Sequence, residues 1–334
     1  MDSITHLVTG ALIGEVMLGK QLGKKAMLWG AIAGSLPDID SIMYLFTDDV
    51  DSLVLHRGFT HSLIAVLLVS PILAWFFNRK YPDVGWGFFS LFFIIELTIH
   101  DFLDTATIYG TGLFEPISSY RYSWDNIFVL DPLFTLPILI AFIYLWVSKT
   151  SGPNRRVIAM IGLTTGLVYM GMTFMNKNTV EQVFKSSLER EKIIYTDHFT
   201  APVILNNFLW HAVAKTEDGY YIGHYSMFDH ERSMELFYVP RNNELLGNLN
   251  SDEKVKKLKH FSKGFYCVSE NEDGTWFNDM RFGQVDGWND EYAQYAFSFN
   301  LEAGADNSTV VQRGRIEFSK REALRSLWDR IKGW

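Results

Sequence analysis

The sequence predicts an all-α polytopic membrane helix bundle of about six embedded helices, followed by a soluble α+β C-terminal domain. Three observations carry that expectation. Residues 1–176 hold nearly all the long apolar runs, whereas residues 177–334 are polar sequence with charges every few positions. The average conceals this division, because the chain is 48% hydrophobic yet has a mean hydropathy of only +0.03. The ionisable residues of the first half, finally, gather at the ends of the apolar runs. At 334 residues the chain exceeds one typical domain. The expected division is a membrane-embedded metal-binding helical domain over 1–176 and an extramembrane α+β domain, of no assignable role, over 177–334.

The apolar runs are residues 62–77, 84–107, 133–147 and 157–175. Only the second and fourth approach the ~20 residues needed to cross hydrocarbon unaided; the other two need flanking residues or a thinned, protein-lined end. Two weaker segments, 7–18 and 26–36, are joined by a Gly- and Lys-rich link and read as a short helical hairpin whose glycines and alanines suit close packing. If the helices alternate in direction, Lys20, Lys24, Lys25, Arg79, Lys80, Lys149, Arg155 and Arg156 fall on one side, and Arg57, Arg121 and Lys177 on the other. That eight-to-three margin makes the Lys-rich side cytoplasmic. The chain is then multi-pass in the inner (plasma) membrane, with residues 37–61 and the C-terminal half on the non-cytoplasmic side.

Residues 176–191 read as a helical connector. Beyond them, 208–215 and 220–227 flank a Thr-Glu-Asp-Gly turn, and 265–269 and 275–282 flank Asn-Glu-Asp-Gly, two hairpin patterns. A further strand is expected at 294–301, and helices at 251–262, with Ser251 as cap, and at 319–332.

Composition excludes several functions. A net charge of −8 leaves no basic stripe to neutralise phosphates, so nucleic acid is not an expected partner. The single cysteine, Cys267, rules out an internal disulfide or a thiolate metal cage. The start of the chain lacks the basic region and small-residue cleavage site of a secretory signal. Metal chemistry here must use nitrogen and oxygen.

Ionisable groups in a membrane-embedded region are costly and point to function. Glu96, His100 and Asp104 recur every four residues, on one helix face about 6 Å apart; Asp101 points elsewhere. Pro37 ends the preceding segment and is expected to hold Asp38 and Asp40 in an extended stretch, both carboxylates facing one way, as suits a hard cation. His56 and His61 bracket a glycine turn before an apolar run that Thr60 or Ser62 can cap. Two imidazolium ions are disfavoured at a helix N-terminus, and neutral, metal-bound imidazole removes that conflict. Arg57 beside them suits either an anionic substrate oxygen or an ion pair with Asp38 or Asp40. His6 precedes the first apolar segment on the same side. Residues 108–130, rich in Gly and aromatics, read as a loop over the site, with Tyr109 and Trp124 as interfacial anchors and Asp131-Pro132 as a helix start. The remaining histidines, His198, His211, His224, His230 and His260, show no ligand spacing.

Thr5-His6, Pro37-Asp38-Ile39-Asp40, His56-Arg57-Gly58-Phe59-Thr60-His61-Ser62, and His100-Asp101-Phe102-Leu103-Asp104 followed by Gly110-Thr111 occur in that order. Through them residues 1–150 resemble the bacterial membrane-bound metal-dependent hydrolases, described also as inner-membrane proteins under DNA-damage control. The resemblance implies a helical membrane bundle with hydrolytic activity, and it leaves the C-terminal half unmatched.

The expected metal ligands are His6, Asp38, Asp40, His56, His61, His100 and Asp104, enough for one or two divalent ions. Zinc is favoured by the nitrogen-rich set, with manganese or iron as alternatives. Asp40, Arg57 and Asp104 are the catalytic candidates: a carboxylate base, a stabiliser of the developing oxyanion and a metal-bound carboxylate. The expected partners are membrane lipids and a small-molecule or lipid-like substrate such as a phosphoester. A metal ion or proton transporter, and a metal-binding anchor or sensor without catalysis, are the competing readings; a transporter requires ionisable groups at the midplane, where only Glu96 is placed.

Overall fold

The structure is a computed structural model and describes residues 1–148, 152–272, 274–290, 293–302 and 321–333. The chain divides into two units, Met1–Phe46 with Leu55–Thr173, and Thr47–Val54 with Phe174–Trp334.

The first unit is helical. Helix α1 (Ser3–Leu22) is capped by Asp2, whose side chain accepts from Thr5 N, and it stops at Gly23, which sits at φ 58°. Helix α2 (Lys25–Gly34) folds back along it. Gly10 and Gly14 of α1 lie directly on the backbone of Ala26, Gly30 and Gly34 of α2, so the two helices meet main chain to main chain. A 3-10 helix, Pro37–Leu45, and another, Phe59–His61, precede α4 (Leu63–Lys80), which Ser62 caps through Ala65 N. Helix α5 (Trp86–Thr105) follows, then α6 (Pro132–Val147), whose start is fixed by Pro132 and by Asp131 accepting from Leu133 N and Phe134 N. Helix α7 (Pro153–Arg190) opens in this unit and ends in the other; the connector expected at 176–191 is its continuation.

Among the described residues three helices are long and apolar enough to cross a membrane, Leu63–Lys80, Trp86–Thr105 and Pro153–Arg190. The apolar α6 has 16 residues and α2 has 10. Arg155 of α7 is buried in a two-point ion pair with Glu15 of α1, at 2.8 and 2.7 Å, and also donates to Leu145 O. It is therefore neutralised and drops out of the loop charge that bears on orientation. Lys149 lies outside the described residues.

The second unit contains two antiparallel meanders. One runs β1 (Asp197–Pro202), β2 (Leu209–Lys215), β3 (Gly219–Ser226), β4 (Leu236–Pro240), in that spatial order; the other runs β5 (Tyr266–Asn271), β6 (Gly274–Asp279), β7 (Ser298–Asn300). Val180, Phe184 and Leu188 of α7 pack on Trp210, Ala212 and Ala214, one face of β2. Val213 and Ile222 meet Phe265 and Met280 on the other face. Short helix α3 (Asp49–Leu55) belongs here for most of its length; the segment carrying it is tied by Asp48 to Lys254, at 2.9 Å, and by Asp51 to Lys257 of α8 (Glu253–Phe261). Asp252, not the expected Ser251, caps α8 through Lys254 N, because the carboxylate one residue later has the extended geometry of a cap. The last helix, α9 (Arg321–Ile331), covers most of the expected 319–332; Ser319, Lys320 and the turn residue Asp273 lie outside the described residues. Strands β1 and β4 have no counterpart in the sequence reading, since neither shows a hairpin turn beside a clean alternation.

Candidate metal centre

The seven ligand candidates and Arg57 come together within the first unit. Pro37–Leu45 is a 3-10 helix, which corrects the extended segment expected around Asp38 and Asp40. Proline's fixed φ suits a first helical turn as readily as it ends the preceding helix, and acidic side chains are favoured at that positive end. In this turn the two carboxylates take different nearest partners. Asp38 Oδ1 lies 3.4 Å from His61 Nε2 and 3.6 Å from His100 Nε2, while Asp40 Oδ1 lies 2.8 Å from His56 Nδ1.

Helix α5 supplies His100 and Asp104, one turn apart. His100 Nδ1 donates to Gly34 O at 2.7 Å, which leaves the lone pair on Nε2. Asp104 Oδ2 is 3.4 Å from His61 Nε2 and 3.7 Å from His100 Nε2. Donor atoms of Asp38, His61, His100 and Asp104 all lie within 4.8 Å of one another, as do those of an overlapping set, Asp38, Asp40 and His56. His61 Nε2, His100 Nε2 and Asp104 Oδ2 are buried and have no hydrogen-bond partner. For His100 Nε2, whose nearest carboxylates are 3.6 and 3.7 Å away, that leaves a desolvation cost of about 1–3 kcal/mol that a paired group avoids. A divalent cation fits that donor set: two imidazole nitrogens and two carboxylates.

A second ring orients the first. His61 Nδ1 is 3.2 Å from Asp40 Oδ2 and 3.0 Å from Thr60 Oγ1, and Thr60 donates to Asp40 Oδ2 at 2.7 Å. His6 Nε2 lies 3.0 Å from Asp104 Oδ1, its ring stacked 3.7 Å from that of His100, so it backs Asp104 and is not among the four converging donors. The amino group of Met1 also pairs with Asp104. Arg57 Nε is 3.0 Å from Asp104 Oδ2, and its Nη1 donates to Thr107 Oγ1 at 2.8 Å. The ion pair expected with Asp38 or Asp40 therefore goes to Asp104; only the Arg57 backbone N–H reaches Asp40, at 3.1 Å. The left-handed residue in this turn is Arg57 itself, at φ 61°, and not the neighbouring glycine.

The 108–130 loop lies over this turn. Gly112 N donates to Arg57 O, Arg121 Nη1 donates to His56 O at 2.9 Å, and the Tyr109 ring lies 5.0 Å from the Arg57 guanidinium. Tyr109 thus lies against the site's arginine, as the reading of 108–130 as a loop over the site expects. Trp124 packs on Phe102 instead. Thr60, read only as a possible helix cap, Arg121, counted only as a loop charge, and Thr107 were not among the expected site residues. Thr60 lies between two selected residues, and that position was the available signal; the other two carry none. Of the Glu96–His100–Asp104 stripe, Glu96 is buried with Oε1 unpartnered, away from the four donors, and Asp101 is buried with neither oxygen partnered.

Charge balance follows from this packing. Burial works against the charge on His61, but hydrogen bonds to Asp38 and Asp40 and the nearby Asp104 charge outweigh it and raise its pKa to about 9. Burial likewise opposes ionisation of Asp38, yet the His61 bond and the His100 and His6 rings hold it down to about 2. Asp40, against its own burial, is held well below the ordinary carboxylate range by His56 and His61.

Long apolar helices with a buried His/Asp cluster at their ends define a helical membrane protein whose clustered donors could hold a metal ion. The sequence profile of the YdjM inner membrane protein family matches residues 1–180, more than half of the chain, and the chain belongs to that family. This is the inner-membrane family expected from the motifs. The chain is 28% identical over 274 residues to the uncharacterized protein YfhP of Bacillus subtilis (strain 168), covering 78% of this chain and 80% of the relative. It is 33% identical over 110 residues to the inner membrane protein YbcI of Escherichia coli (strain K12), covering 33% and 63%. No solved structure matches it.

Proposed function

We propose that the protein is a membrane-bound metal-dependent hydrolase acting near the membrane surface on a phosphoester or lipid-like substrate. The observation that carries this reading is the convergence of buried donor atoms of His61, His100 and Asp104 with Asp38, all within 4.8 Å of one another. Asp38, His61, His100 and Asp104 would hold one divalent ion, and Asp38, Asp40 and His56 offer the place of a second. Zinc suits these nitrogens and carboxylates, with manganese or iron as alternatives. Bound there, the ion supplies a Lewis acid and a water of lowered pKa.

The chain's own residues supply the rest. Asp40, ionised and fully engaged, keeps His61 Nδ1 occupied so that Nε2 faces the centre, the carboxylate–histidine arrangement that orients metal ligands. The same carboxylate holds His56 through Nδ1. His56 is the most open of the site histidines, with its side chain 16% exposed, and with one ion bound, the second place free, it forms with Asp40 the dyad that takes a proton from the nucleophile. This moves the base role from Asp40 alone to the pair. Arg57, buried and fixed by Asp104 and Thr107, places a permanent positive charge beside the centre for a developing oxyanion.

The test is direct: purified protein should carry stoichiometric metal and hydrolyse a generic phosphodiester or ester reporter, with activity lost to a chelator and restored by Zn²⁺ or Mn²⁺. Stoichiometric metal without hydrolysis across such reporters would leave the sensor reading; no metal would end the proposal. Affinity should also rise about tenfold per pH unit between about pH 7 and pH 9 and then level off, since His61 must release a proton to bind. Competition titrations at four pH values check this, and a flat profile would remove His61 from the ligand set. A transporter is the second reading, favoured by the unpartnered, buried Glu96 and Asp101 inside the apolar α5. Metal or proton uptake into proteoliposomes decides between them.

A further inference from the structure

The β5–β7 sheet of the second unit has two unlike faces. Tyr266, Val268, Phe277 and Phe299 alternate onto one and are buried there. The other carries Cys267, Asn278 and Ser298 at paired positions, and beside them Ser269, Trp276 and Asn300. This second face floors a groove of about 700 Å³ walled by β4 and by residues near 284 and 294.

Among the described residues lining the groove none is charged, although 20% of the chain is. Seven carry a side-chain amide or aliphatic hydroxyl, and four are aromatic. The floor is ordered before any ligand arrives. Ser298 Oγ donates to Asn278 Oδ1 at 2.7 Å, Asn278 Nδ2 donates to Ser269 Oγ at 2.9 Å, and Trp276 Nε1 donates to Asn271 Oδ1 at 2.9 Å. Asn278 and Ser298 are buried, whereas Trp276 is half-buried and Tyr238 and Gln294 are exposed at the rim. Burial pushes the Cys267 thiol up to about 11, so the groove holds no thiolate nucleophile.

These features narrow the ligand. A charged group would lose water with no counter-charge to meet it, and a lipid tail would cover the solvent-reached amides and hydroxyls of the lining without pairing them. Strand addition at β5 is blocked in part, because Val268 N already donates to Arg241 O at 2.9 Å and Asn242 Nδ2 to Val268 O at 3.2 Å. A saccharide fits: its hydroxyls both donate and accept, as amides do, and its C–H face stacks on an indole. We propose that this groove binds an uncharged saccharide, either a free glycan or the headgroup of a glycolipid. The proposal is independent of the metal centre.

The full chain should be tested in phospholipid nanodiscs, because maltoside detergents carry the ligand chemistry in question. Maltotetraose, cellotetraose and chitotetraose are titrated by calorimetry, and nanodiscs with and without diglucosyl diacylglycerol are compared for protection of Trp276 from a fluorescence quencher. Saturable binding of a free tetrasaccharide supports a glycan ligand; protection only with the glycolipid supports a headgroup. In either case Trp276→Ala should weaken binding about tenfold, the loss expected for one stacking ring. Asn278→Asp, which puts a charge on the floor, should weaken it at least as much; if that variant fails to fold, Trp276→Ala decides alone. No binding across the panel up to about 10 mM, binding indifferent to Trp276→Ala, or Trp276-dependent binding of a neutral extended peptide in place of saccharide, each overturns it.

Discussion

His100→Ala is expected to lower metal affinity by about three orders of magnitude or more, so that purified protein loses its stoichiometric ion together with any hydrolysis. The size follows from what is removed. His100 Nε2 is one of the four converging donors and is aimed at the centre by its own Nδ1–H to Gly34 O, so the variant removes a pre-oriented ligand. Asp40→Asn should behave differently. It leaves the donors present but frees His56 and His61 to turn, and a loss of about 10–100-fold is the usual cost of such an orienting partner. Metal content by elemental analysis, with helicity by circular dichroism as a control, separates the two. Equal losses in both variants would mean the cluster is held together as a polar core and not as a graded metal site.

That gradation was only partly legible in the sequence. Residue types and helix-end positions were enough to select His56, His61, His100 and Asp104, because buried histidine and carboxylate are costly and seldom accidental in apolar sequence. Their roles were not. Asp38 and Asp40 differ by two positions, and only the 3-10 turn sends one to the centre and the other behind the histidines. Arg57 chose Asp104, 47 positions away, over the two nearer carboxylates, a long-range choice that no local pattern encodes. In the second unit the hairpins β2–β3 and β5–β6 were readable from turn residues between alternating runs, while β1 and β4 form because neighbouring strands offer them an edge.

The glycines of the first hairpin tie fold to site, and Gly30→Ala should show it. A Cβ on Gly30 would sit against Gly10 O and one on Gly10 against Gly30 O, each well inside the 3.0 Å that real Cβ atoms keep. The obstacle in each case is backbone, which cannot swing away as a side chain can, so α1 and α2 must part. The expected cost is about 3 kcal/mol, the upper end for over-packed sites, seen as a lower midpoint of thermal aggregation in detergent. The same separation would carry the Gly34 carbonyl away from His100 Nδ1 and His6 away from Asp104. Metal affinity should therefore fall in Gly30→Ala although no donor has been touched. Gly87→Ala is the matched control: it lies in α5 with nothing within 4 Å of the added carbon, and alanine there should be neutral or stabilise by up to about 1 kcal/mol. If Gly30→Ala unfolds nothing and binds metal as the parent does, the close crossing is not what positions His100, and the site must be held by α5 and the 37–61 segment alone.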